Sequence, residues 1–187
     1  MMDECKDMAA GHTVEVRRNE KEPAEGAKMT QIDPPDEIPL VWHKTQLRIP
    51  LFEVDLGQAV YHGNYYHFFE MAREDFLRDL GYPYKRFMEQ QMHLTVVESS
   101  CSYRRSLRYD DLIEAHTSIL WRRSRSLAFS QIFFRDEGEA GLTLCTRATL
   151  NMVCVSFTGK PTVLPADFTR LIEDRQASSG SLPSIPS

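Results

Sequence analysis

One short stretch of the chain places side chains capable of carbonyl chemistry close together. Asp55 is followed after six residues by His62, and Gly63 and Asn64 come next. A carboxylate can deprotonate water or attack a carbonyl carbon directly, and an imidazole can polarise a carbonyl or move a proton. The spacing therefore makes Asp55 a candidate general base or nucleophile, with His62 as a candidate catalytic partner.

The residues after the histidine predict the start of a helix, which would add hydrogen-bond donors to this site. The first N–H groups of a helix have no partner within it and carry partial positive charge. Such groups can stabilise the oxyanion that forms on an attacked carbonyl. Asn64 suits the N-cap position, and Gly63 leaves room for a carbonyl to approach the backbone. We expect an oxyanion site at His62, Gly63 and Asn64.

Each of these residues also has a plain structural explanation. Asp55 stands two residues before Gly57, and aspartates commonly bend such turns. His62 can lie on the surface without a role, and Asn64 can cap the helix and nothing more. A rival acid, Glu70, stands on the helix itself, where charged neighbours favour a salt-bridged surface position. The residues alone leave these alternatives open.

The apolar pattern after Asn64 predicts one long helix that ends near Gly81. Apolar residues recur at steps of three or four and form a single stripe: Tyr65, Phe69, Ala72, Phe76 and Leu80. Gly81 suits the C′ position after the helix, and Pro83 prevents the helix from continuing. Glu74 and Arg78 are four residues apart and should form an ion pair on the exposed face.

Strand-like runs surround this helix. One precedes it at residues 44–54, where Pro50 forces an edge or a bulge. Four more follow, at residues 94–106, 111–121, 126–135 and 142–156, with a hairpin turn at 135–141 and a short final helix at 165–173. This order predicts an α+β fold, in which a five-stranded antiparallel sheet wraps one long central helix. An edge strand and apolar surface would be left over, which favours a dimer.

The two ends of the chain differ in composition from its middle. Residues 1–40 are rich in Glu, Lys and Pro and hold ten acids against five bases, whereas the remaining residues hold 17 of each sign. We expect a flexible acidic leader at 1–40, a folded domain at 41–173 and a flexible tail at 174–187. The balanced charge of the domain argues against nucleic-acid binding.

The composition indicates a cytoplasmic protein. No apolar run is long enough to span a membrane, and the first 30 residues lack the apolar core of a signal peptide. The four cysteines are scattered and form no C-x-x-C pair, which is typical of reduced thiols. The histidines show no metal-ligand spacing, so we expect neither a metal ion nor another cofactor.

The stretch from Val54 to Tyr84, VDLGQAVYHGNYYHFFEMAREDFLRDLGYPY, resembles the opening loop and central helix of the hotdog-fold thioesterases. The similarity covers residues 47–173, and YRRSLRYDDLIEAHT resembles the second and third strands of the same fold. The branch it resembles is the 4-hydroxybenzoyl-CoA thioesterase family, including the tol–pal-cluster acyl-CoA thioesterases. The resemblance implies hydrolysis of an acyl-CoA to a free acid and CoA, at a site between the subunits of a homodimer or homotetramer. It places the catalytic aspartate of the family on Asp55 and the histidine of the tol–pal branch on His62.

Two positions depart from the pattern of this family and bear on the choice of substrate. The branch often shows Asp-x-Asp, whereas the first acid here is Glu53, and a second glycine often stands where this chain has Gln58. A side chain at position 58 could narrow the acyl pocket or donate a hydrogen bond near the thioester. We assign Gln58 to the substrate pocket together with Tyr61 and Tyr65, which line this pocket or pack in the core.

Binding CoA also requires cations for its phosphate groups. Arginines are dense between residues 104 and 125, and guanidinium groups match phosphate oxygens in geometry. We expect Arg104, Arg105, Arg122 and Arg123 to bind the phosphates, and an acidic acyl carrier protein could use the same surface. Two other functions stay open: a non-catalytic module that binds acyl-CoA, and hydration of an enoyl thioester.

Overall fold

The computed structural model describes residues 36–37 and 41–178. Most of the expected leader, and the part of the expected tail after residue 178, lie outside the described residues. The elements have the following bounds: β1 Asp36–Glu37, β2 His43–Arg48, α1 Tyr65–Asp79, α2 Lys85–Glu89, β3 Met92–Tyr103, β4 Leu112–Arg122, β5 Ser126–Asp136, β6 Leu142–Ser156 and α3 Ala166–Ser178.

The strands form one antiparallel sheet with α1 packed against it. The long strands run in the order β2, β4, β5, β6, β3, and the two-residue β1 pairs with the end of β4. Aromatic rings of α1 pack on rings of β5. The ring centroids of Phe69 and Phe133 are 4.6 Å apart, and those of Phe76 and Phe129 are 5.8 Å apart. The predicted architecture, five long antiparallel strands around one long helix, is confirmed.

The helix α1 follows its sequence pattern closely. All five residues of the predicted apolar stripe are buried, because this face contacts the sheet. Glu74 and Arg78 form the expected ion pair, with 2.6 Å between Oε2 and Nη2. Gly81 has φ +80°, and the N–H groups of Gly81 and Tyr82 donate to the carbonyls of Arg78 and Leu77, as in a Schellman motif. Glycine therefore ends the helix, as predicted.

The strand predicted over residues 44–54 is wrong in its second half. The strand β2 ends at Arg48, and Leu51–Glu53 form a 3₁₀ turn. Pro50 precedes this turn and has no N–H group to donate to a neighbouring strand, so the ladder cannot continue through it.

The predicted boundaries of the folded domain also need correction. The helix α3 runs on to Ser178, five residues into the expected tail, and its buried residues Phe168 and Ile172 anchor it to the core. At the other end, Asp36 and Glu37 of the expected leader pair with Arg122 and Trp121 of β4.

One polar side chain in the core fixes the helix against the sheet. Gln131 of β5 is fully buried, and its Nε2 donates to the carbonyl oxygen of Phe69 at 2.9 Å and to Thr117 Oγ1 at 3.2 Å. Its Oε1 accepts from Arg73 Nη1 at 3.0 Å. Both the oxygen and the nitrogen of this side-chain amide thus have hydrogen-bond partners, as a buried polar group requires.

Candidate active site

The candidate acid Asp55 stands at the start of a tight loop. Residues 54–60 are closed by an antiparallel bridge between Val54 and Val60. The N–H of Asp55 donates to the carbonyl of Ala59 at 2.9 Å, and the N–H of Gln58 donates to the carbonyl of Asp55 at 3.0 Å. Both the N–H and the carbonyl group of Asp55 are therefore hydrogen-bonded within the loop.

The Asp55 side chain both bends this loop and remains available. It is exposed, and its Oδ1 accepts from the N–H of Gly57 at 2.7 Å. A Cβ atom at position 57 would lie 3.0 Å from that same Oδ1, which explains the glycine. Within the described residues Oδ2 has no hydrogen-bond partner. Turn formation and a chemical role are thus compatible in this residue.

Gln58 occupies a backbone conformation that favours glycine. Its φ is +60°, and its side chain is exposed at the tip of the loop. This left-handed conformation gives a physical reason for a second glycine at this position in the family that the loop resembles. In this chain a glutamine side chain is held there at the expense of some backbone strain.

Replacing Gln58 with Gly is expected to stabilise the protein by up to about 1 kcal/mol, because glycine adopts positive φ without strain. Thermal unfolding would measure the change. Gln46→Gly, in the extended strand β2, is the matched control and should destabilise instead. A loss of stability in Gln58→Gly would mean that the glutamine side chain makes a stabilising contact that outweighs the strain.

The start of α1 matches the expected N-cap in position but not in its side-chain hydrogen bond. Residues His62–Asn64 form a 3₁₀ turn, and Asn64 has helical φ and ψ angles of −74° and −14°. Its side chain does not cap the helix but donates from Nδ2 to the carbonyl oxygen of Glu53 at 3.1 Å. Asn64 is thus at the predicted N-cap position, but within the described residues no side chain forms a capping hydrogen bond to α1.

Gly63 has a neighbour where room for a ligand was expected. A Cβ at this position would lie 3.0 Å from Cε1 of Tyr61, so the glycine allows that ring to pack on the turn. The same ring contacts His62, with 4.3 Å between ring centroids. His62 is exposed, and its carbonyl oxygen accepts from the Tyr103 hydroxyl at 2.9 Å.

An open groove of about 320 Å³ brings several predicted site residues together. His62, Tyr65, Arg104 and Arg105 line it, together with Val60, Tyr103 and Ser106. Tyr65 is otherwise a core residue, whose hydroxyl accepts from the N–H of Leu107 at 3.1 Å. Burial raises the pKa of Tyr65, and burial together with a hydrogen bond to the Cys101 thiol raises the pKa of Tyr103. Both phenols therefore stay protonated at neutral pH.

The other two arginines lie at the opposite end of the sheet. Tyr103, which precedes Arg104, pairs with Thr146, and Thr146 pairs with Phe133. Arg122 pairs with Leu127, six residues from Phe133 along β5, which is roughly 20 Å of strand. Arg122 donates to Glu173 at 2.7 Å, and Arg123 lies over the ring of Trp121 at 5.4 Å. One subunit cannot present all four arginines to one phosphate group.

The rival acid Glu70 belongs to another part of the surface. It lines a separate groove between α1 and β3, with Arg73, Glu74 and Tyr84 as its other polar neighbours. Arg73 is held there by Gln131, and desolvation lowers its pKa. Glu70 is thus exposed beside charged residues, as expected for a surface acid.

Two residues beside the loop were missed as functional candidates. From sequence, Glu53 stands out only as a departure from a family pattern, and His67 only as one of the histidines without metal-ligand spacing. The structure places His67 Nδ1 at 3.0 and 3.1 Å from the two carboxylate oxygens of Glu53. The sequence does contain a signal for this contact. Asn64 and His67 are three residues apart, so their side chains lie on the same helix face and can both bond to one residue.

Two classes of feature are absent from the described part of the chain. Residues 36–37 and 41–178 contain no group of three or more His, Cys, Asp or Glu side chains that could hold a metal ion. None of the helices in these ranges is long and apolar enough to cross a membrane.

Comparison with known proteins identifies the family. A family model described as the thioesterase superfamily matches residues 57–142. The acyl-CoA thioester hydrolase YbgC of Escherichia coli is 32% identical over 120 residues, which cover 64% of this chain and 87% of that protein. A crystal structure of a hypothetical protein from Aquifex aeolicus is 26% identical, covers 70% of this chain and 98% of the other, and has a TM-score of 0.63.

The fold itself is shared with enzymes of lower identity. A DHNA-CoA thioesterase from Staphylococcus aureus is 24% identical, with 78% of this chain and 99% of that one covered, at a TM-score of 0.69. Together with the loop and helix described above, these similarities show that the chain belongs to the hotdog-fold thioesterase superfamily.

Proposed function

We propose that this protein is an acyl-CoA thioesterase, which hydrolyses an acyl thioester to a free acid and CoA. The observation that carries the proposal is the exposed carboxylate of Asp55, on a hydrogen-bonded loop that leads into α1. Among the described residues, Oδ2 of this carboxylate has no hydrogen-bond partner and α1 has no side-chain cap. The names of the relatives agree with this reaction, since YbgC of Escherichia coli is an acyl-CoA thioester hydrolase.

The chemistry is divided between the acid and the helix start. Asp55 acts as general base on water or as nucleophile on the thioester carbonyl. Backbone N–H groups at Gly63 and in the first turn of α1 stabilise the oxyanion. The N–H of Asn64, which was also expected there, donates to the carbonyl of Tyr61 at 2.8 Å instead. His62 polarises the carbonyl or moves a proton from its exposed position beside Tyr61. Gln58, Tyr61 and Tyr65 border the acyl group.

The CoA phosphates bind at the arginine pair next to this site. Arg104 and Arg105 share a groove with His62, and both are exposed. Arg122 and Arg123 can serve the same ligand only from a second subunit, because they lie at the other end of the sheet. The acidic surface of an acyl carrier protein is an alternative ligand for these cations.

The active unit is a homodimer or a homotetramer built from it. Within the described chain β3 pairs only with β6, so its other edge is free, and Val96 and Val97 on it are exposed. Leu51, Phe52 and Leu56, which flank the acid, are exposed as well. Apolar surface of this extent beside a free strand edge favours burial against a second copy.

The buried free thiols of Cys145 and Cys154 agree with the reducing cytoplasm.

A thiol-trapping assay over short, long and aromatic acyl-CoAs tests the proposal. Release of free CoA in proportion to enzyme concentration, with saturation in at least one substrate, is the expected result. Calorimetry should be run in parallel on the same substrates. Saturable binding of acyl-CoA without release of thiol over hours would contradict hydrolysis and identify a non-catalytic binding module.

A further inference from the structure

The buried carboxylate next to the Asp55 loop has no role in the chemistry described so far. Glu53 is 7% exposed and is the one buried acid among the described residues. A buried carboxylate is unfavourable unless hydrogen bonds and a nearby cation compensate it. His67, in the first turn of α1, supplies a hydrogen bond to this carboxylate from a side chain that is 61% exposed. A carboxylate only accepts hydrogen bonds, so His67 Nδ1 carries the proton.

The backbone of the same residue closes the loop. The carbonyl oxygen of Glu53 accepts from the N–H of Tyr61 and from Nδ2 of Asn64, each at 3.1 Å. Tyr61 and Asn64 belong to the segment that follows the loop, whereas Glu53 precedes it. Glu53 thus bonds to the loop exit through its main chain and to α1 through its side chain, and Asp55 lies two residues away.

We propose that Glu53 and His67 are a positioning pair that holds the Asp55 loop in register with the tip of α1. The inference rests on the proposed function, because the register affects turnover only if Asp55 acts on the thioester. Displacement of a reacting group by about 1 Å can cost up to about 100-fold in rate. The extra methylene of glutamate, relative to aspartate, lets the side chain reach the ring of His67 on the helix.

The protein contains a matched control pair. Glu114 and His116 on β4 also form a hydrogen-bonded, mostly buried carboxylate–imidazole pair. Within the described residues no hydrogen bond joins this pair to residues 53–67. Breaking it should affect stability in a similar way but should not move the loop.

The test compares His67→Ala and Glu53→Ala with His116→Ala and Glu114→Ala in the full chain. His67→Ala and Glu53→Ala are expected to lower kcat by about 10- to 100-fold with KM nearly unchanged. Backbone amide exchange at Asp55, Gln58 and Tyr61 should be about tenfold faster, the effect of one lost hydrogen bond. The control variants should lower the melting temperature without changing kcat or exchange in the loop.

Two further variants keep the test decisive. Glu53→Gln keeps an acceptor for the imidazole N–H and should retain most of the turnover. The double variant Glu53→Ala/His67→Ala should lose no more than the worse single variant, because the two side chains act as one unit. If the Glu53→Ala variant does not fold, the His67→Ala variant still tests the pair, because removing an exposed ring should leave the protein folded.

The outcomes separate this inference from the proposed function. An unchanged kcat in His67→Ala, in a protein whose Asp55→Asn variant is inactive, overturns the positioning pair and leaves the thioesterase intact. If Asp55→Asn remains active, the proposed mechanism fails, and amide exchange alone decides whether the pair holds the loop. Equal exchange rates in the His67→Ala variant and the unmodified protein then overturn the inference.

Discussion

Replacing Asp55 with Asn is expected to lower kcat for acyl-CoA hydrolysis by at least about 100-fold. The amide can neither take a proton from water nor attack the thioester carbonyl. Its Oδ1 can still accept from the N–H of Gly57, so the loop should keep its shape. The measurement is thiol release under saturating acyl-CoA, with thermal unfolding to verify the fold.

Asp136 provides an unusually close control for this experiment. Its Oδ1 accepts from the N–H of Gly138 at 2.8 Å, so it forms the same kind of turn as Asp55 with Gly57, at the hairpin between β5 and β6. Asp136→Asn should leave turnover unchanged. Equal turnover in the Asp55→Asn and Asp136→Asn variants would falsify the catalytic role of Asp55. Its only function would then be to bend the loop.

The second large effect is expected at the free edge of β3. Val97 is 61% exposed and lies at the bulge between Val96 and Glu98, where it has no partner on β6. Val97→Lys should not disturb the single subunit, but charged lysines on an edge strand prevent pairing with another copy. We expect a monomer by light scattering. Turnover should fall by on the order of 10- to 100-fold, because a site between subunits loses one wall.

Val163→Lys is the control for this substitution, since Val163 is also exposed, at 54%, and lies outside the strands. It should leave both mass and turnover unchanged. A Val97→Lys protein that remains a dimer would place the subunit contact elsewhere. A fully active monomer would show that one subunit contains the whole site.

The features that follow a local repeat were predictable from sequence. The stripe on α1 has a period of three to four residues, and burial of every member follows from that period. Gly81 ends the helix because a glycine tolerates φ of +80°. The hairpins that join β4 to β5 and β5 to β6 were equally accessible, because short turns force antiparallel neighbours. The pairing of β3 with β6 and of β2 with β4 joins strands that are distant in the chain, and the turns do not predict it.

The features that depend on distant contacts were not predictable. Asn64 stands at the N-cap position, as predicted, but its side chain donates to a carbonyl 11 residues earlier and does not cap the helix. Arg104 and Arg122 are 18 positions apart, yet the chain runs the length of a strand between them and separates them in space. The bond from His67 to Glu53 spans 14 residues and depends on how the loop folds back on the helix. Composition and period carry no information on such pairs.

The buried amide of Gln131 has a consequence for how precisely the N-terminal end of α1, the proposed oxyanion site, is placed. Apolar side chains alone tolerate small sliding of a helix over a sheet, because their contacts are not directional. The bond from Gln131 to the Phe69 carbonyl is directional, and Phe69 lies four residues, about 6 Å of helix, from the first residue of α1. A central strand thereby sets the axial position of the helix, and with it the place where the first free amide groups meet a substrate.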